Sequence, residues 1–265
     1  MKVSRIVRGL KHARRISEVP AVIGTTSEWP ALTAAYSGLS VLTYPHRVPF
    51  RRGSTVTLEN FQDLATFWQI FFAGAYHVKP SDRRIVDAGA NHGMFTLYTA
   101  LRSPQATIAS LEPFPATFER LRRTVAENGI AERVMLFPAA LHGRDGIAHM
   151  DSGADIGSQF RRVQATGGTE VESISLESLL AKCNWDSVDL LKLDIEGSEF
   201  EVLLNAPAEA LRRIRRISME FHPRPDENRY VPELLFEHLR SAGFHLTQRR
   251  DDGDGYGIAR LESVT

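Results

Sequence analysis

The sequence predicts an α/β fold in which a mostly parallel sheet is covered by helices on both faces. Two observations support this prediction. Between residues 61 and 242, apolar runs of strand length alternate with amphipathic helical segments, which is the pattern of parallel strands joined by crossover helices. Beyond them, two strand-like segments at 244–248 and 256–261 are separated only by a polar, glycine-containing turn. We therefore expect the sheet to end in an antiparallel hairpin.

The composition is that of an ordinary globular chain and disfavours several classes of protein. Among 265 residues, 32 Lys and Arg balance 32 Asp and Glu, so no overall field attracts a polyanion and nucleic acid is disfavoured as a partner. Cys183 is the only cysteine, which excludes an internal disulfide and favours a reducing, cytoplasmic location. No apolar run reaches the roughly 18 residues of a membrane-spanning helix, and we expect no signal peptide because no apolar segment follows the basic start.

Residues 1–59 are predicted to form an extension that precedes an α/β domain spanning 60–265. Apolar side chains recur at helical spacing within the basic segment 1–16, which predicts a short amphipathic helix. Such a helix either lies solvated on the protein surface, the interpretation we favour, or contacts an anionic membrane or a partner. Residues 17–58 mix Pro, Gly, Ser and Thr with short apolar runs, and their pattern predicts no particular element.

A strand, a glycine turn and a helix follow one another between residues 84 and 101. The apolar strand ends at Asp87, Gly89 and Gly93 bracket the turn, and the helix begins directly after it. Such a turn aims backbone N–H groups and a positive helix end at one spot, and its glycines allow close approach of a ligand. The Gly-x-x-x-Gly spacing differs from the Gly-x-Gly-x-x-Gly of dinucleotide sites. The expected ligand lacks a pyrophosphate and carries positive charge, as S-adenosylmethionine does.

The other elements are predicted in order along the chain. An aromatic stripe predicts a helix over 61–72 that covers the sheet. Further strands are predicted at 107–111, 134–140, 171–175, 188–194 and 217–221. Helices are predicted to begin at Pro115, Leu176, Glu199, Pro207 and Pro232. The polar segment 143–170 is longer than a typical connection and is a candidate substrate lid. The arginine run within 212–216 is assigned to a helix C-terminus, where cations are favourable without a ligand.

The predicted strand ends bring chemically useful residues to one edge of the sheet. Carboxyl ends of parallel strands share an edge, and ligands of such sheets bind there. The residues at or next to these ends are Asp87, Glu112, Ala140, Asp194 and Glu220. The carboxylate of Glu112 can accept hydrogen bonds from both ribose hydroxyls of a nucleoside. Phe114 fits equally well as an adenine contact and as a core residue of the helix that follows it.

Two further stretches carry acids and a histidine at strand ends. An apolar strand delivers Asp194, Glu196 follows two residues later, and Gly197 frees the backbone to turn. Two acids at an apolar sheet edge are costly unless something cationic arrives, such as a sulfonium, a metal or a substrate proton. At the neighbouring strand end, Glu220 and His222 lie on one side. A histidine near a carboxylate is a natural general base.

Five segments of the chain resemble the FkbM-type methyltransferases. They are Val-Asp-Ala-Gly-Ala-Asn-His-Gly at 86–93, Leu-Glu-Pro at 111–113, Ser-Leu-Glu-Ser-Leu-Leu at 175–180, Leu-Lys-Leu-Asp-Ile-Glu-Gly-Ser-Glu at 191–199 and Met-Glu-Phe-His at 219–222. The resemblance implies a class I, Rossmann-like methyltransferase fold with seven strands, the last hairpin adding the antiparallel strand. It also implies S-adenosylmethionine as cofactor and a small-molecule or saccharide substrate. Members are mostly taken to methylate hydroxyl groups of sugars, glycans or secondary metabolites.

The resemblance also implies which residues hold the cofactor. By similarity these are Asp87, Gly89, Asn91, Gly93 and Glu112. Asp194 is expected beside the methionine end of the cofactor. Ala90 within the turn, together with Phe114 and Ala140, completes the expected cofactor site. Residues 1–59 lie outside the resemblance.

The resulting hypothesis is methyl transfer from sulfur to a hydroxyl oxygen. A hydroxyl is a weak nucleophile, so a base or a metal has to remove or polarise its proton. The candidate bases are His222, Glu220 and Glu196, with Asp194 as the fourth catalytic residue. Asp194 and Glu220 can instead hold Mg²⁺ through hard oxygen ligands. Catechol-type methyltransferases place a lysine where this chain has Gly197, which weakens that analogy.

Two other functions remain open from the sequence. A nicotinamide-dependent oxidoreductase can be built on a similar sheet, although the glycine spacing speaks against it. A methyltransferase-like domain retained only for binding is the alternative without catalysis. The Asn/Asp-Pro-Pro-aromatic motif of amino methylation on bases is absent where Asp-Ile-Glu-Gly stands at 194–197, which favours oxygen over nitrogen as the acceptor. The sequence predicts no oligomeric state.

Overall fold

A computed structural model describes residues 17–150, 163–164, 168–223, 230–252 and 256–264. The helices are α1 (Val19–Thr25), α2 (Trp29–Tyr36), α3 (Phe61–Phe71), α4 (Met94–Arg102), α5 (Pro115–Glu127), α6 (Leu176–Cys183), α7 (Glu199–Asn205), α8 (Ala208–Arg212) and α9 (Pro232–Ser241). The strands are β1 (His46–Pro49), β2 (Thr55–Leu58), β3 (Arg84–Ala88), β4 (Thr107–Leu111), β5 (Val134–Phe137), β6 (Ala140–Leu141), β7 (Gly146–Met150), β8 (Val163–Gln164), β9 (Thr169–Ile174), β10 (Leu190–Leu193), β11 (Arg216–Phe221), β12 (Phe244–Asp252) and β13 (Tyr256–Ser263).

The central sheet has seven strands in the order β12-β13-β11-β10-β3-β4-β5. From β11 to β5 every neighbouring pair is parallel. The strand β13 runs antiparallel to both β11 and β12. The predicted mostly parallel sheet with a late hairpin is therefore confirmed. Because the chain starts in the middle at β3 and returns on the other side at β10, the two strands flank the switch point where ligands of such sheets bind.

Helices cover both faces of this sheet, as predicted. Successive strand residues point to opposite faces, so Ile85 and Val86 of β3 enter different hydrophobic clusters. The cluster around Val86 holds buried residues of α6, α7, α8 and α9. The cluster around Ile85 holds those of α3, α4 and α5.

Residues 17–58, for which the sequence predicts no element, pack onto the second of these faces. They form α1, α2 and the antiparallel hairpin β1–β2. Val22, Leu32 and Val48 are fully buried in the same cluster as α3 and α4. The ring of Tyr36 stacks on Trp68 with centroids 4.2 Å apart. The division into an extension and a domain at 59/60 stays a prediction, and the predicted helix over 1–16 lies outside the described residues.

A second, smaller sheet of order β6-β9-β7-β8 corrects two predictions. The single strand predicted over 134–140 is divided, because β5 ends at Phe137 and Ala140 begins β6 of the smaller sheet. The segment 143–170, predicted as one long connection, contains β7, β8 and the start of β9, and its role as a substrate lid stays a prediction. Residues 151–162 and 165–167 of that segment lie outside the described residues.

The arginine run follows its prediction in part. Arg212 lies in the last turn of α8 and Arg213 caps its C-terminus, as expected for cations at a helix end. Arg215 instead pairs with Asp189 at 2.8 Å, and Arg216 lies in β11, where its buried guanidinium pairs with Asp82. Within the described part of the chain, none of the helices combines the length and hydrophobicity needed to cross a bilayer.

Candidate functional site

A cavity of about 520 Å³ opens at the C-terminal edge of the central strands. Its volume falls within the roughly 300–1,000 Å³ range of small-molecule sites. The predicted site residues that line it are Gly89, Ala90, Asn91, Glu112, Phe114, Ala140, Asp194, Glu196 and Glu220. The structure thus brings together four acids from the ends of three strands, namely β4, β10 and β11. Asp87, Gly93 and His222 are not part of the lining.

The glycine turn is held against its neighbouring strands more closely than the sequence predicts. Gly89 has φ +73°, and a Cβ added there would lie 1.9 Å from the carbonyl oxygen of Asp194. The N–H groups of Gly89 and Ala90 donate to the carbonyl of Leu111 at 3.1 and 2.9 Å. The N–H of Asn91 donates to Glu112 Oε2 at 3.0 Å. These N–H groups therefore serve the protein, and the expectation that they point at a ligand is wrong.

Asp87 lies beneath this turn and is fully buried. It accepts a hydrogen bond from Thr96 Oγ1 at 2.6 Å, and the ammonium of Lys192 is 3.2 Å from its Oδ1. Lys192 also donates to the carbonyls of Ala88 and Gly89 at 3.1 and 2.8 Å. Asp87 therefore anchors the lysine that holds the turn, rather than facing the cavity.

Lys192 and Tyr76 line the cavity and were not among the predicted site residues. Both contact Oδ2 of Asp194, the hydroxyl of Tyr76 donating at 3.0 Å and the ammonium of Lys192 lying at 3.9 Å. Burial disfavours the lysine charge, but Asp87 and Asp194 outweigh it and raise the pKa of Lys192. The sequence does indicate a special role for Lys192, because a lysine between two leucines of a buried strand requires partners of opposite charge.

Glu112 links the turn to the apolar end of the cavity. Its side chain is buried, with Oε2 bonded to the turn and Oε1 accepting from the N–H of Phe114 at 3.1 Å. Phe114 packs in an apolar cluster with Ala140 and Met150. Both the carboxylate and this apolar surface face the cavity.

The opposite end of the cavity is acidic. Asp194, Glu196 and Glu220 line it, and His222 lies buried behind them. Nε2 of His222 is 3.4 Å from Glu196 Oε2 and 3.9 Å from Glu220 Oε1. Its Nδ1 is 3.2 Å from Glu199 Oε1. The imidazole therefore sits among carboxylates.

Burial and these contacts together raise the pKa values of Glu196, Glu220 and His222. Burial raises the pKa of Glu196 to about 8. Burial and the Asp194 carboxylate raise the pKa of Glu220 to about 7. For His222, burial acts in the other direction, but the hydrogen bond and charge of Glu199 outweigh it and raise the pKa to about 9. This raised pKa favours the imidazolium form of His222 near neutrality. Of the three candidate bases, Glu196 and Glu220 therefore fit that role better than His222, and the assignment stays a prediction.

Helix α3 supplies another wall of the cavity, which the sequence analysis assigned only to the core. Its polar lining residues are Gln62, Asp63, Thr66 and Gln69. The buried carboxylate of Asp63 accepts from Arg120 at 3.2 Å and lies 3.4 Å from Nδ1 of His92. His92 is thereby paired with a structural acid. Asp63 could have been noticed as a first-turn helix acid, but its distant partners could not.

Within the described ranges, no group of three or more His, Cys, Asp or Glu side chains is placed to hold a metal ion. The Mg²⁺ site considered from the sequence needs only the two carboxylates of Asp194 and Glu220. It therefore stays a prediction, and no chemical step is assigned to a metal.

Comparison with known proteins places this geometry in context. The family model described as the methyltransferase FkbM domain matches residues 87–246. Methyltransferase 1 of Beauveria bassiana is 29% identical, the match covering 69% of this chain and 82% of that protein. The 31-O-demethyl-FK506 methyltransferase FkbM of Streptomyces tacrolimicus is 27% identical over 66% of this chain and 76% of its own length. The solved structure of the methyltransferase FkbM from Methylobacillus flagellatus aligns with a TM-score of 0.50 at 12% identity, covering 96% of this chain and 60% of that one. At 12% identity, the similarity to this solved structure supports a shared fold and nothing further.

Proposed function

This chain belongs to the FkbM family of S-adenosylmethionine-dependent methyltransferases, and from that premise we propose that it methylates a hydroxyl oxygen of a sugar, glycan or secondary metabolite. One observation carries the proposal. Glu112, the glycine turn and the acids Asp194, Glu196 and Glu220 all line one cavity at the switch point of the sheet. This is the place where an open α/β sheet binds its ligands.

The cavity residues fit the methyl donor by their chemistry. S-adenosylmethionine supplies a methyl group on a positively charged sulfur and carries an adenine, a ribose and an ammonium group. The apolar surface of Phe114 and Ala140 suits the adenine, and the carboxylate of Glu112, which lines the cavity, suits the ribose hydroxyls. Asp194, held by Tyr76, suits the cationic part of the donor. Burying several carboxylates at one end is unfavourable without a cation, so the acidic end favours this ligand.

The acceptor hydroxyl has to lose its proton as its oxygen is methylated. A general base acts best when its pKa lies near the working pH. The pKa values of Glu196 and Glu220, about 8 and about 7, meet that condition. We assign the proton to a carboxylate oxygen of Glu196 or Glu220, and the imidazolium of His222 supports the negative charge of these acids. Holding the two reactants in line supplies much of the remaining acceleration.

Support for an oxygen acceptor comes from the relatives and from the loop after β10. The Streptomyces relative is named for a 31-O-demethyl substrate, which points to hydroxyl methylation in the family. Asp-Ile-Glu-Gly stands at 194–197 instead of the motif of amino methylation. The smaller sheet borders the cavity through Met150, which packs with Phe114 and Ala140 at the apolar end.

The proposal is tested by screening hydroxylated sugars and small metabolites for release of S-adenosylhomocysteine. We expect release that persists in the presence of a metal chelator, and its loss in Asp194→Ala. Glu209→Ala is the matched control, because Glu209 on α8 is outside the cavity lining and its side chain is 90% exposed.

Binding separates the other two functions. Calorimetric titration is expected to show binding of S-adenosylmethionine and none of NAD or NADP. Binding of a nicotinamide cofactor alone would favour the oxidoreductase and overturn the proposal. Donor binding without release for any acceptor, together with unchanged biological activity of Asp194→Ala, would favour a domain retained for binding.

A further inference from the structure

We propose that Glu199 is a positioning residue for the methyl transfer: it fixes the loop that presents Glu196 to the cavity and holds His222 against the back of that loop. This inference rests on the proposed function and assigns a role to a residue that does not line the cavity. Glu199 is the first residue of α7 and is fully buried. A buried carboxylate outside the cavity cannot touch the substrate, so its effect on catalysis has to pass through its neighbours.

The first connection runs through the backbone. Glu199 Oε1 accepts from the N–H of Ile195 at 2.9 Å, and Oε2 accepts from the N–H of Gly197 at 2.9 Å. These two N–H groups lie on either side of Glu196, which has φ +53°. A residue with a Cβ adopts this left-handed conformation at a cost, and the surrounding structure has to maintain it. The two hydrogen bonds of Glu199 close the loop in this conformation.

The second connection runs through His222. The same Oε1 of Glu199 is 3.2 Å from Nδ1 of His222, whose Nε2 is 3.4 Å from Glu196. The imidazole thus bridges a carboxylate outside the cavity and one that lines it. Among the residues that the structure describes, the other charged or titratable groups facing this bridge include Asp194, Glu220 and Tyr256. Both faces of the loop around Glu196 are therefore tied to one buried acid.

This arrangement has an electrostatic consequence. The charge of Glu199 raises the pKa of His222, and the charge of His222 in turn lowers that of Glu196, which burial raises. Replacing Glu199 by Gln removes the negative charge and leaves His222 closer to an ordinary histidine. At a pH near 8 the variant then lacks the negative charge of Glu199 and the positive charge of His222, so the net charge beside the cavity stays the same. We therefore expect Glu199→Gln to change the pKa of Glu196 and to leave the binding of S-adenosylmethionine unchanged.

The experiment compares Glu199→Gln with Glu201→Gln in the full chain. Glu201 lies two residues further along the same helix, and its side chain accepts from Tyr230 and Asn205 outside the cavity. In ¹⁵N-histidine NMR spectra, the His222 signals are assigned by their loss in His222→Gln. We expect His222 to be doubly protonated at pH 8 in the wild type and in Glu201→Gln, and neutral in Glu199→Gln. A neutral His222 in the wild type, or a charged one in Glu199→Gln, overturns the proposal.

Kinetics test whether the role is positioning. With the acceptor found in the screen, kcat of Glu199→Gln is expected to fall on the order of 100-fold, since a displacement of about 1 Å can have that effect. The KM and Kd for S-adenosylmethionine are expected to stay at the wild-type values, and the acidic limb of the pH profile to move to higher pH. Adding His222→Gln to Glu199→Gln is expected to move that limb no further, because both changes act on the same link.

Unchanged kcat and pH profile in Glu199→Gln would refute the role. If Glu199→Gln does not fold, the pH profile of His222→Gln is measured instead. A wild-type profile in His222→Gln would refute the proposed connection from Glu199 through His222 to Glu196. A wild type that binds no S-adenosylmethionine contradicts the proposed function instead, whereas an active wild type matched by Glu199→Gln contradicts only this inference.

Discussion

Replacement of Gly89 by Ala tests how closely the turn after β3 approaches the end of β10. Gly89 has φ +73°, and the added Cβ would lie 1.9 Å from the carbonyl oxygen of Asp194 and 3.2 Å from Cγ2 of Ile195. The clashing oxygen belongs to backbone, so no rotation of a side chain relieves the contact. The turn and the strand end that presents Asp194 have to move apart.

The expected loss of stability has two parts. The left-handed conformation costs a residue with a Cβ about 1–2 kcal/mol. Forcing an extra carbon into a packed site adds about 1–3 kcal/mol. Gly89→Ala is therefore expected to lower the free energy of unfolding by about 2–5 kcal/mol. Gly129 has φ +63° but nothing within 4 Å of an added Cβ, so Gly129→Ala is expected to lose only the first part.

Unfolding in guanidinium chloride measures the free energy of unfolding of both variants, which can be compared if their m-values are the same. Calorimetry with S-adenosylmethionine adds a functional readout, because moving Asp194 away from the turn is expected to weaken binding in Gly89→Ala and not in Gly129→Ala. If the two variants unfold with the same free energy and bind the donor alike, the close approach does not constrain the site and the reasoning from this contact fails.

Three further predictions concern charge. Glu112→Gln is expected to raise the Kd for S-adenosylmethionine about 10- to 100-fold by weakening charged hydrogen bonds to the ribose, and an unchanged Kd in calorimetry would rule that contact out. Lys192→Met leaves the buried Asp87 without its cation and is expected to lower the free energy of unfolding by about 3–5 kcal/mol. Lys79→Met breaks a half-exposed ion pair and is expected to lower it by at most about 1 kcal/mol. Equal losses for the two variants in denaturant unfolding would contradict this prediction. The pKa of Glu196 is about 8 in the folded protein against an ordinary 4.5, so its contribution to stability is present below pH 4.5 and lost as pH rises through 8. In thermal unfolding, the stability of Glu196→Gln is therefore expected to fall less than that of the wild type between about pH 6 and 9. An equal fall in both proteins would refute the raised pKa of Glu196.

Local signals explain what the sequence predicts correctly. The apolar β3 and β10 and the glycine turn at Gly89 each carry their own pattern within a few residues, and the alternation with helices defines the sheet. Strand ends then follow from topology, which is why Glu112 and Asp194 were expected at one edge. The end of β5 at Phe137 also has a local signal, which the prediction of one strand over 134–140 overlooks. Pro138 follows directly, and a proline has no N–H to donate inside a sheet.

The missed features depend on contacts between distant parts of the chain. Lys192 is paired with Asp87, which lies more than 100 residues earlier. Helix α2 is apolar around much of its surface, and the partner that explains it is Trp68 on α3. Glu199 reads as a favourable first-turn acid of a helix, and only the fold shows that it reaches His222. Periodicity and spacing cannot identify such partners.

The acidic end of the cavity couples donor binding to protonation. Burial holds Glu196 and Glu220 partly protonated near neutrality, with pKa values of about 8 and about 7. A cation placed beside a carboxyl lowers its pKa, so binding of S-adenosylmethionine at a pH near 7.5 is expected to release protons. S-Adenosylhomocysteine lacks the sulfonium charge and is the matched control.

Titration calorimetry in buffers of different ionisation enthalpy counts the protons released by each ligand. We expect more for S-adenosylmethionine than for S-adenosylhomocysteine, and no difference between the two ligands in the double variant Glu196→Gln with Glu220→Gln. Glu119→Gln, an exposed glutamate paired with Arg122, is expected to retain the difference. Equal proton release by both ligands in the wild type would mean that the two carboxyls do not sense the sulfonium. The positive charge of the donor would then lie elsewhere in the cavity, and neither glutamate would be placed to take the proton of the acceptor.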